Sequence, residues 1–308
     1  MPNRITMIGS ANVDFILQLP HLPKPGESVT GGPFSQAFGG KGSNQSFAAK
    51  RAGGEVSVVV SIGGDSLGKT LLEAYRAEGM DTSHIVLHDD LPCGTALIFI
   101  DQNGENCIGF TFGANARMSP EQVDKAESVI AESRIVMMQM EIPDDAMHRA
   151  IQLAKKHGVE IMLNYAPYRK STIQLDQDVS ILVVNETEAG QLLDTEVESL
   201  DQAKAASKRL SDNGHRLTIV TLGANGSLVC ENGTVRHFPS FKVKALDATA
   251  AGDTYCGALA VGITEGMNVE EAVRFASAAG ALCASRLGAQ PSIPTRGDIE
   301  AFMRETAL

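Results

Sequence analysis

The chain has 308 residues, 43% hydrophobic and 20% charged, which is enough apolar material for one large core or two modest ones. Its 26 basic and 37 acidic side chains leave a formal charge of −11. Such a surface repels phosphate backbones, so it argues against nucleic acid and anionic membranes as partners, while backbone N–H groups can still hold a small phosphate ligand locally. Charged residues and glycines interrupt every apolar run before it reaches the length of a membrane span.

The first apolar run, residues 5–8, is too short for a signal-peptide core and reads as a buried first strand. Segments 15–19 and 27–38 are expected to add strands to a small separate sheet. Residues 56–62 (VSVVVSI) form a continuous apolar run between Gly54 and the Gly63-Gly64 pair. Runs 94–99 and 107–112 flank a turn containing Asn103-Gly104, a strong hairpin signal. Ser119, Pro120 and Gln122 then read as the N-cap, first position and capping-box partner of a helix. Further apolar runs follow at 135–140, 160–163, 181–184 and 217–222, apolar on both faces as strands of a covered parallel sheet are. Amphipathic helices between them predict an α/β architecture, a Rossmann-like sheet sandwiched by helices. The whole chain, 1–308, reads as one domain, with a small β lid from roughly residues 12–40 and 94–113. Apolar lid faces that need cover predict a homodimer through the lid. Five scattered cysteines, Cys93, Cys107, Cys230, Cys256 and Cys283, make neither a disulfide framework nor a metal knuckle; they suit reduced thiols in a cytoplasmic protein.

The segment that carries chemistry is Asp247-Ala248-Thr249-Ala250-Ala251-Gly252-Asp253-Thr254, followed by an apolar helical stretch. Small residues ahead of a helix leave N–H groups unblocked, and the helix dipole adds positive character there. Such a turn can take up the charge of a transferring phosphoryl group. A carboxylate at its mouth, Asp253, can accept the proton of an attacking hydroxyl. Alone, the same run also describes a plain helix N-terminus with a close-packed turn. A second glycine-rich run, Phe38-Gly39-Gly40-Lys41-Gly42-Ser43-Asn44-Gln45, lets backbone approach a polar ligand closely. It lacks the spacing of a P-loop.

Together these two runs resemble the N- and C-terminal signatures of the ribokinase family of carbohydrate kinases. Matching landmarks between and beyond them extend the resemblance over essentially the entire chain: Gly9-Ser10-Ala11-Asn12-Val13-Asp14, Met140-Glu141, Asn185-Glu186-Thr187-Glu188, Thr221-Leu222-Gly223 and Gly288-Ala289-Gln290-Pro291-Ser292. The resemblance implies a three-layer α/β/α fold and transfer of the γ-phosphoryl group of ATP to the 5-hydroxyl of D-ribose, giving D-ribose 5-phosphate. Asp253 would be the base, and the amides of Ala250, Ala251, Gly252 and Asp253 the anion hole. Sugar contacts would come from Asn12, Asp14, Gly40, Lys41, Asn44 and Glu141, with Asp253. Asn185, Glu188, Thr221, Gly223, Gly226, Gly252 and Ser277 would line the nucleotide, and Glu188 would hold Mg²⁺ through water. K⁺ would sit among the side chains of Asp247 and Ser292 and the carbonyls of Thr249, Cys283, Arg286 and Gly288.

Each of these has a plainer reading. Asn12 and Asp14 suit an ordinary turn, and Glu141 a solvent-facing loop. Asn185 suits a helix N-cap with acidic residues in the first turn; that role and the ligand role are compatible. Phe110 and Phe112 stand where related chains carry smaller residues, which points to a tighter or reshaped sugar pocket. Tyr165 stands in place of a proline, and Ser277 in place of a His or Asn. Alternatives are another sugar, a nucleoside or a non-catalytic sugar sensor. An aromatic content of 5% without tryptophan counts against a slot for a base, and intact Gly252 and Asp253 count against a sensor.

Overall fold

Apolar runs with both faces hydrophobic can be satisfied only between two helical layers, and that is where the chain puts them. The computed structural model describes residues 4–306; residues 1–3, ahead of the expected first strand, lie outside. The strands are β1 (Arg4–Ile8), β2 (Asn12–Gln18), β3 (Phe34–Gly39), β4 (Glu55–Val59), β5 (Ser61–Gly63), β6 (Val86–His88) and β7 (Gly94–Ile100). They continue with β8 (Asn106–Thr111), β9 (Ile135–Gln139), β10 (Glu160–Asn164), β11 (Ile181–Asn185), β12 (Leu217–Thr221), β13 (Ser227–Glu231) and β14 (Thr234–Phe238). The helices are α1 (Lys41–Arg51), α2 (Ser66–Ala77), α3 (Pro120–Lys125), α4 (Glu127–Ala131) and α5 (Asp144–His157). After them come α6 (Glu186–Leu193), α7 (Leu200–Ser211), α8 (Ala251–Thr264), α9 (Val269–Ala284) and α10 (Arg296–Thr306).

The large sheet has eight strands in the order β14-β13-β12-β11-β10-β9-β1-β4. From β12 to β4 all neighbours are parallel, and β13 and β14 close the edge as antiparallel strands. Side chains alternate between two cores, as a pleated strand requires. Ile5, Met7, Ile135, Met137, Ile181 and Val183 enter one with α1, α8 and α9. Ile8, Val136, Met138, Leu182 and Val184 enter the other with α3, α5 and α7. Each of these fully buried side chains contributes about 1.5–3 kcal/mol of transfer free energy. The chain runs from β1 outward to β4 and returns on the other side to β9, so the order reverses between β1 and β9. Open α/β sheets bind ligands at such a reversal, beyond the carboxyl ends of the strands.

The second sheet is β3-β2-β7-β8, with β2 and β7 parallel and the β2–β3 and β7–β8 pairs antiparallel. This is the expected lid, with two differences. Its first strand begins at Asn12 rather than Phe15, and 27–33 is not a strand. There Gly31 and Gly32 take φ of 103° and 96°, a left-handed excursion that breaks pairing, and Pro33 follows. Ser119 caps α3 by accepting from Gln122 N at 3.4 Å, but the capping box is only half made. The Gln122 side chain is drawn into the core, where Nε2 donates to Val60 O (3.0 Å) and Oε1 accepts from Ser61 Oγ (2.7 Å).

Candidate active site

The loop leaving β1 and the loop leaving β9 meet at the point of reversal. Ser10 Oγ donates to Glu141 Oε2 at 2.5 Å, and Lys41 N donates to the same oxygen at 2.9 Å. Glu141 thereby caps the first turn of α1, where a carboxylate is favoured by the exposed N–H groups. Gly40 enters that helix at φ 86°, and a Cβ on it would lie 2.9 Å from Asn12 N. Only glycine satisfies both demands. Gly42 is as constrained, since its Cβ would sit 2.5 Å from Ser10 N. The glycine-rich run therefore brings α1 flush against the loop after β1.

Asp253 lies in the first turn of α8, 7% exposed. Asn44 Nδ2 donates to its Oδ2 and Gln45 Nε2 to its Oδ1, each at 3.0 Å. This approach depends on Gly257, whose Cβ would fall 2.6 Å from both Ala48 Cβ and Ala49 N; without it α1 and α8 could not cross so closely. Ahead of the helix Ala250 adopts φ 61°, a left-handed conformation that costs a residue with a Cβ about 1–2 kcal/mol. The turn leaves Gly252 open, with nothing within 4 Å of where a Cβ would stand. Of the four expected anion-hole amides, that of Ala251 donates to Ala248 O at 3.1 Å. Gly252 and Asp253 lie in the first turn, where N–H groups lack intrahelical acceptors.

Asn12 and Asp14, expected to contact the sugar, stand in β2 of the small sheet. Asn12 is buried, and its Oδ1 accepts from Asn115 Nδ2 at 2.7 Å, which turns its own Nδ2 away from that contact. Asp14 is partly buried, and its carboxylate fills the place that a Cβ on Gly39 would take. Burial, with Glu141 second, pushes the Asp14 carboxyl up to about 6. Glu141 is likewise pushed up by burial, against the pull of Lys41. Burial works against the charge on Lys41, but Asp253, Glu141 and Glu188 outweigh it and hold the ammonium up. In the lid register Ala37, Asp14, Ala96 and Phe110 form one row. Directly paired residues share a face, so Phe110 stands on the Asp14 side, edge to face with Phe112 at 4.9 Å.

Further along the strand ends, Asn185 and Glu188 make a reciprocal capping box: Glu188 N donates to Asn185 Oδ1 (2.7 Å) and Asn185 N to Glu188 Oε2 (2.9 Å). Burial pushes the Glu188 carboxyl up. Thr221 ends β12, and its Oγ1 donates to Val184 O at 3.3 Å. Gly226 is forced by space, since a Cβ would lie 2.0 Å from Phe238 O, whereas Gly223 opens on free space. Ser277 lies apart from Asp253, in a groove of about 450 Å³ with Phe238, Phe241, Val273 and Arg274. A second groove of about 470 Å³ includes Glu186, Leu222, Asn225 and Lys242.

The predicted cation ligands also gather. Asp247 Oδ1 accepts from Thr249 N (2.9 Å) and Oδ2 from Gly288 N (3.0 Å). Cys283 Sγ lies 3.0 Å from Ser292 Oγ and 3.6 Å from Thr249 O, and Arg286 N donates to Cys283 O. The donor set is oxygen-rich, as a hard monovalent ion requires. No group of three or more His, Cys, Asp or Glu among the described residues is arranged to hold a metal. A divalent ion near Glu188 would therefore rely on water and phosphate oxygens, which suits Mg²⁺.

Sequence reasoning assigned no role to Ser10, Gln45, Asn115, Gln139 or Asn164, all of which the structure builds into the site. The available signal was a polar residue ending an apolar strand, as in IVMMQ and EIMLN.

A buried carboxylate in the first turn of a helix, set against a glycine-rich turn and polar side chains gathered at the sheet's reversal, has the parts of a small-molecule phosphotransferase. Residues 2–296 match the pfkB family carbohydrate kinases, and the chain belongs to that family. It is 39% identical to a ribokinase of Haemophilus influenzae over 98% of this chain and 99% of the other. It is 32% identical to a deoxyribokinase of Salmonella typhi over 99% of each. The structure of Arabidopsis thaliana ribokinase complexed with ribose and ATP superposes with a TM-score of 0.92 at 30% identity, covering 99% of both chains. The protein is thus an ATP-dependent kinase with a hydroxyl acceptor.

Proposed function

We propose that the protein phosphorylates D-ribose at its 5-hydroxyl. The observation that carries this reading is the convergence of Asp253, Asn44 and the Ser10–Glu141–Lys41 cluster at the sheet's point of reversal. Asn12, Asp14, Gly40, Lys41, Asn44 and Glu141 hold the sugar hydroxyls, with amide and carboxylate groups matched to a polyol. Asp253 takes the proton of the 5-hydroxyl as its oxygen bonds to the γ-phosphorus. The bond from that phosphorus to the β–γ bridging oxygen breaks, and ADP leaves with the electron pair. The amides of Ala250, Gly252 and Asp253 stabilise the charge on the transferring group, while that of Ala251 closes the turn on Ala248 O. ATP lies along Asn185, Glu188, Thr221, Gly223, Gly226 and Gly252, with the base toward Ser277.

Glu188, through water, would hold Mg²⁺, which when bound neutralises phosphate charge. The Asp247, Thr249, Cys283, Arg286, Gly288 and Ser292 cluster would hold K⁺, whose charge would support the neighbouring anion hole. The lid leaves Ile108 56% and Phe110 43% exposed on its Asp14 face and Phe34 62% and Leu97 50% exposed on the other, apolar surface whose cover favours a homodimer through that sheet. Free thiols at all five cysteines fit a cytoplasmic setting. No helix among the described residues is long and apolar enough to cross a membrane.

The test is ADP release from Mg·ATP with D-ribose, beside 2-deoxyribose, other sugars and nucleosides, in K⁺ and in Na⁺. Turnover fastest on ribose and raised by K⁺ is expected. Preference for another acceptor reassigns the substrate, and an equal rate in Na⁺ removes the cation site.

A further inference from the structure

Behind Asp253 runs a chain of buried amides that the reaction as outlined does not use. Gln45 and Gln139 are 0% exposed and Asn164 is 8% exposed. Asn164 Nδ2 donates to Val183 O at 3.1 Å, and Asn164 Oδ1 accepts from Gln45 Nε2 at 3.0 Å. That same Gln45 nitrogen donates to Asp253 Oδ1 at 3.0 Å, while Gln45 Oε1 accepts from Gln139 Nε2 at 2.6 Å. Gln139 Nε2 also reaches Met7 Sδ at 3.1 Å.

The orientation of every amide in this chain is dictated by its neighbour. A strand carbonyl can only accept, so Asn164 must show it nitrogen and show Gln45 oxygen. Gln45 must then point nitrogen toward both Asn164 and the carboxylate, leaving its oxygen for Gln139. Space has been made for the last link, because a Cβ on Gly9 would lie 2.3 Å from Gln139 Oε1. Buried polar chains of this kind are rigid where they are satisfied; Asn164 and Gln45 are bonded at both ends, while Gln139 Oε1 is buried with no partner among the described residues.

Asn44, which reaches the other carboxylate oxygen, is placed differently. Its Oδ1 is buried with no partner among the described residues, so it has an acceptor to spare for a hydroxyl.

We propose that Gln45 is a positioning residue that keeps Asp253 Oδ1 tied throughout the reaction, so that Oδ2, the oxygen facing Asn44, is the one that takes the substrate proton. Gln139 and Asn164 hold the Gln45 amide in the only orientation that can do this. Asn44 gives up its bond to Oδ2 when the sugar hydroxyl arrives, whereas Gln45 does not. This rests on the assignment of Asp253 as base.

The test compares Gln45→Met with Gln139→Leu, which removes the bond that fixes the amide and leaves Gln45 itself in place. Gln45→Met should lower kcat roughly 30- to 100-fold, the scale of a misplaced catalytic group, with the KM for sugar changed less than about threefold. The acid limb of its kcat–pH profile should move to higher pH, since a carboxylate that loses a donor holds its proton more tightly. Gln139→Leu should shift both in the same direction by less, and it serves alone if Gln45→Met does not fold. Unchanged kcat and limb in a folded variant overturn the proposal. So does a loss of kcat that accompanies weaker binding of both substrates with the limb unmoved. Asp253→Asn separates the two levels: if it keeps near-normal turnover the base assignment fails first, and if it is inactive while Gln45→Met is normal, only the role of Gln45 fails.

Discussion

Asp14 shows what burying a carboxylate costs the fold. Its carboxyl is pushed up to about 6 by burial and then by Glu141, so the native state holds this proton more tightly than the unfolded chain does. Stability attributable to Asp14 is therefore greatest at low pH, falls as pH rises from about 4 to about 6, and stays down above that. Asp14→Asn removes the penalty while losing an acceptor for the sugar. At pH 7.5 it should raise stability by about 1–3 kcal/mol, read as a higher Tm without ligand, and should raise the KM for sugar at least tenfold. A lower Tm would show that the charged form is welcome where it stands. Asp247 is the opposite case: against a burial penalty, hydrogen bonds from Thr249 and the Gly288 amide hold its carboxyl below the ordinary range. It stays ionised at neutral pH, so Asp247→Ala should flatten the difference between rates in K⁺ and Na⁺. At this scale the sequence showed residues whose type announces chemistry, such as Asp253 and Glu141. It did not show Gln45, Gln139 or Asn164 as a unit, because their meaning lies in mutual orientation across three elements.

Between elements, the decisive contact is the crossing of α1 and α8, which sets Asn44 and Gln45 against Asp253. A Cβ on Gly257 would meet Ala48 Cβ and Ala49 N at 2.6 Å and Gln45 O at 2.7 Å. Two of those atoms are backbone and cannot swing aside, so the helices must part. Gly257→Ala should cost about 1–3 kcal/mol of stability as overpacking and lower kcat about tenfold or more, with Tm and steady-state rates as the readings. A normal kcat at reduced Tm would mean the helices reclose without disturbing the carboxylate. The parallel strands were legible because burial on both faces leaves only apolar residues to choose from. Segment 27–33 was misread for want of weight on its glycine pair and proline. Gly257 looked like one more small residue in an apolar helix, and nothing local marks a glycine whose constraint comes from a helix far away in the chain.

Whether the lid is a domain of its own is a question for the whole molecule. Two strands of the small sheet are tied into the large one at their bases: β2 follows β1 after three residues, and β3 runs through Gly40 into α1. Phe15 and Phe38 pack against the core that also holds Ile5, Met137 and Val183. Asn115, just beyond β8, donates to Asn12 Oδ1 and accepts from Ala11 N at 2.9 Å, so the return of the chain from the lid is fastened at the active site. At the edge of the lid, every residue of β8 is exposed. A four-stranded sheet with one strand wholly exposed buries too little apolar surface to offset its own chain entropy, so its order derives from the large sheet. The lid should therefore unfold together with the large sheet, with no calorimetric transition of its own. Bound sugar and nucleotide should move that shared transition upward as a whole. A separate transition at lower temperature, responsive to sugar alone, would instead define residues 12–40 and 94–113 as an independent folding unit.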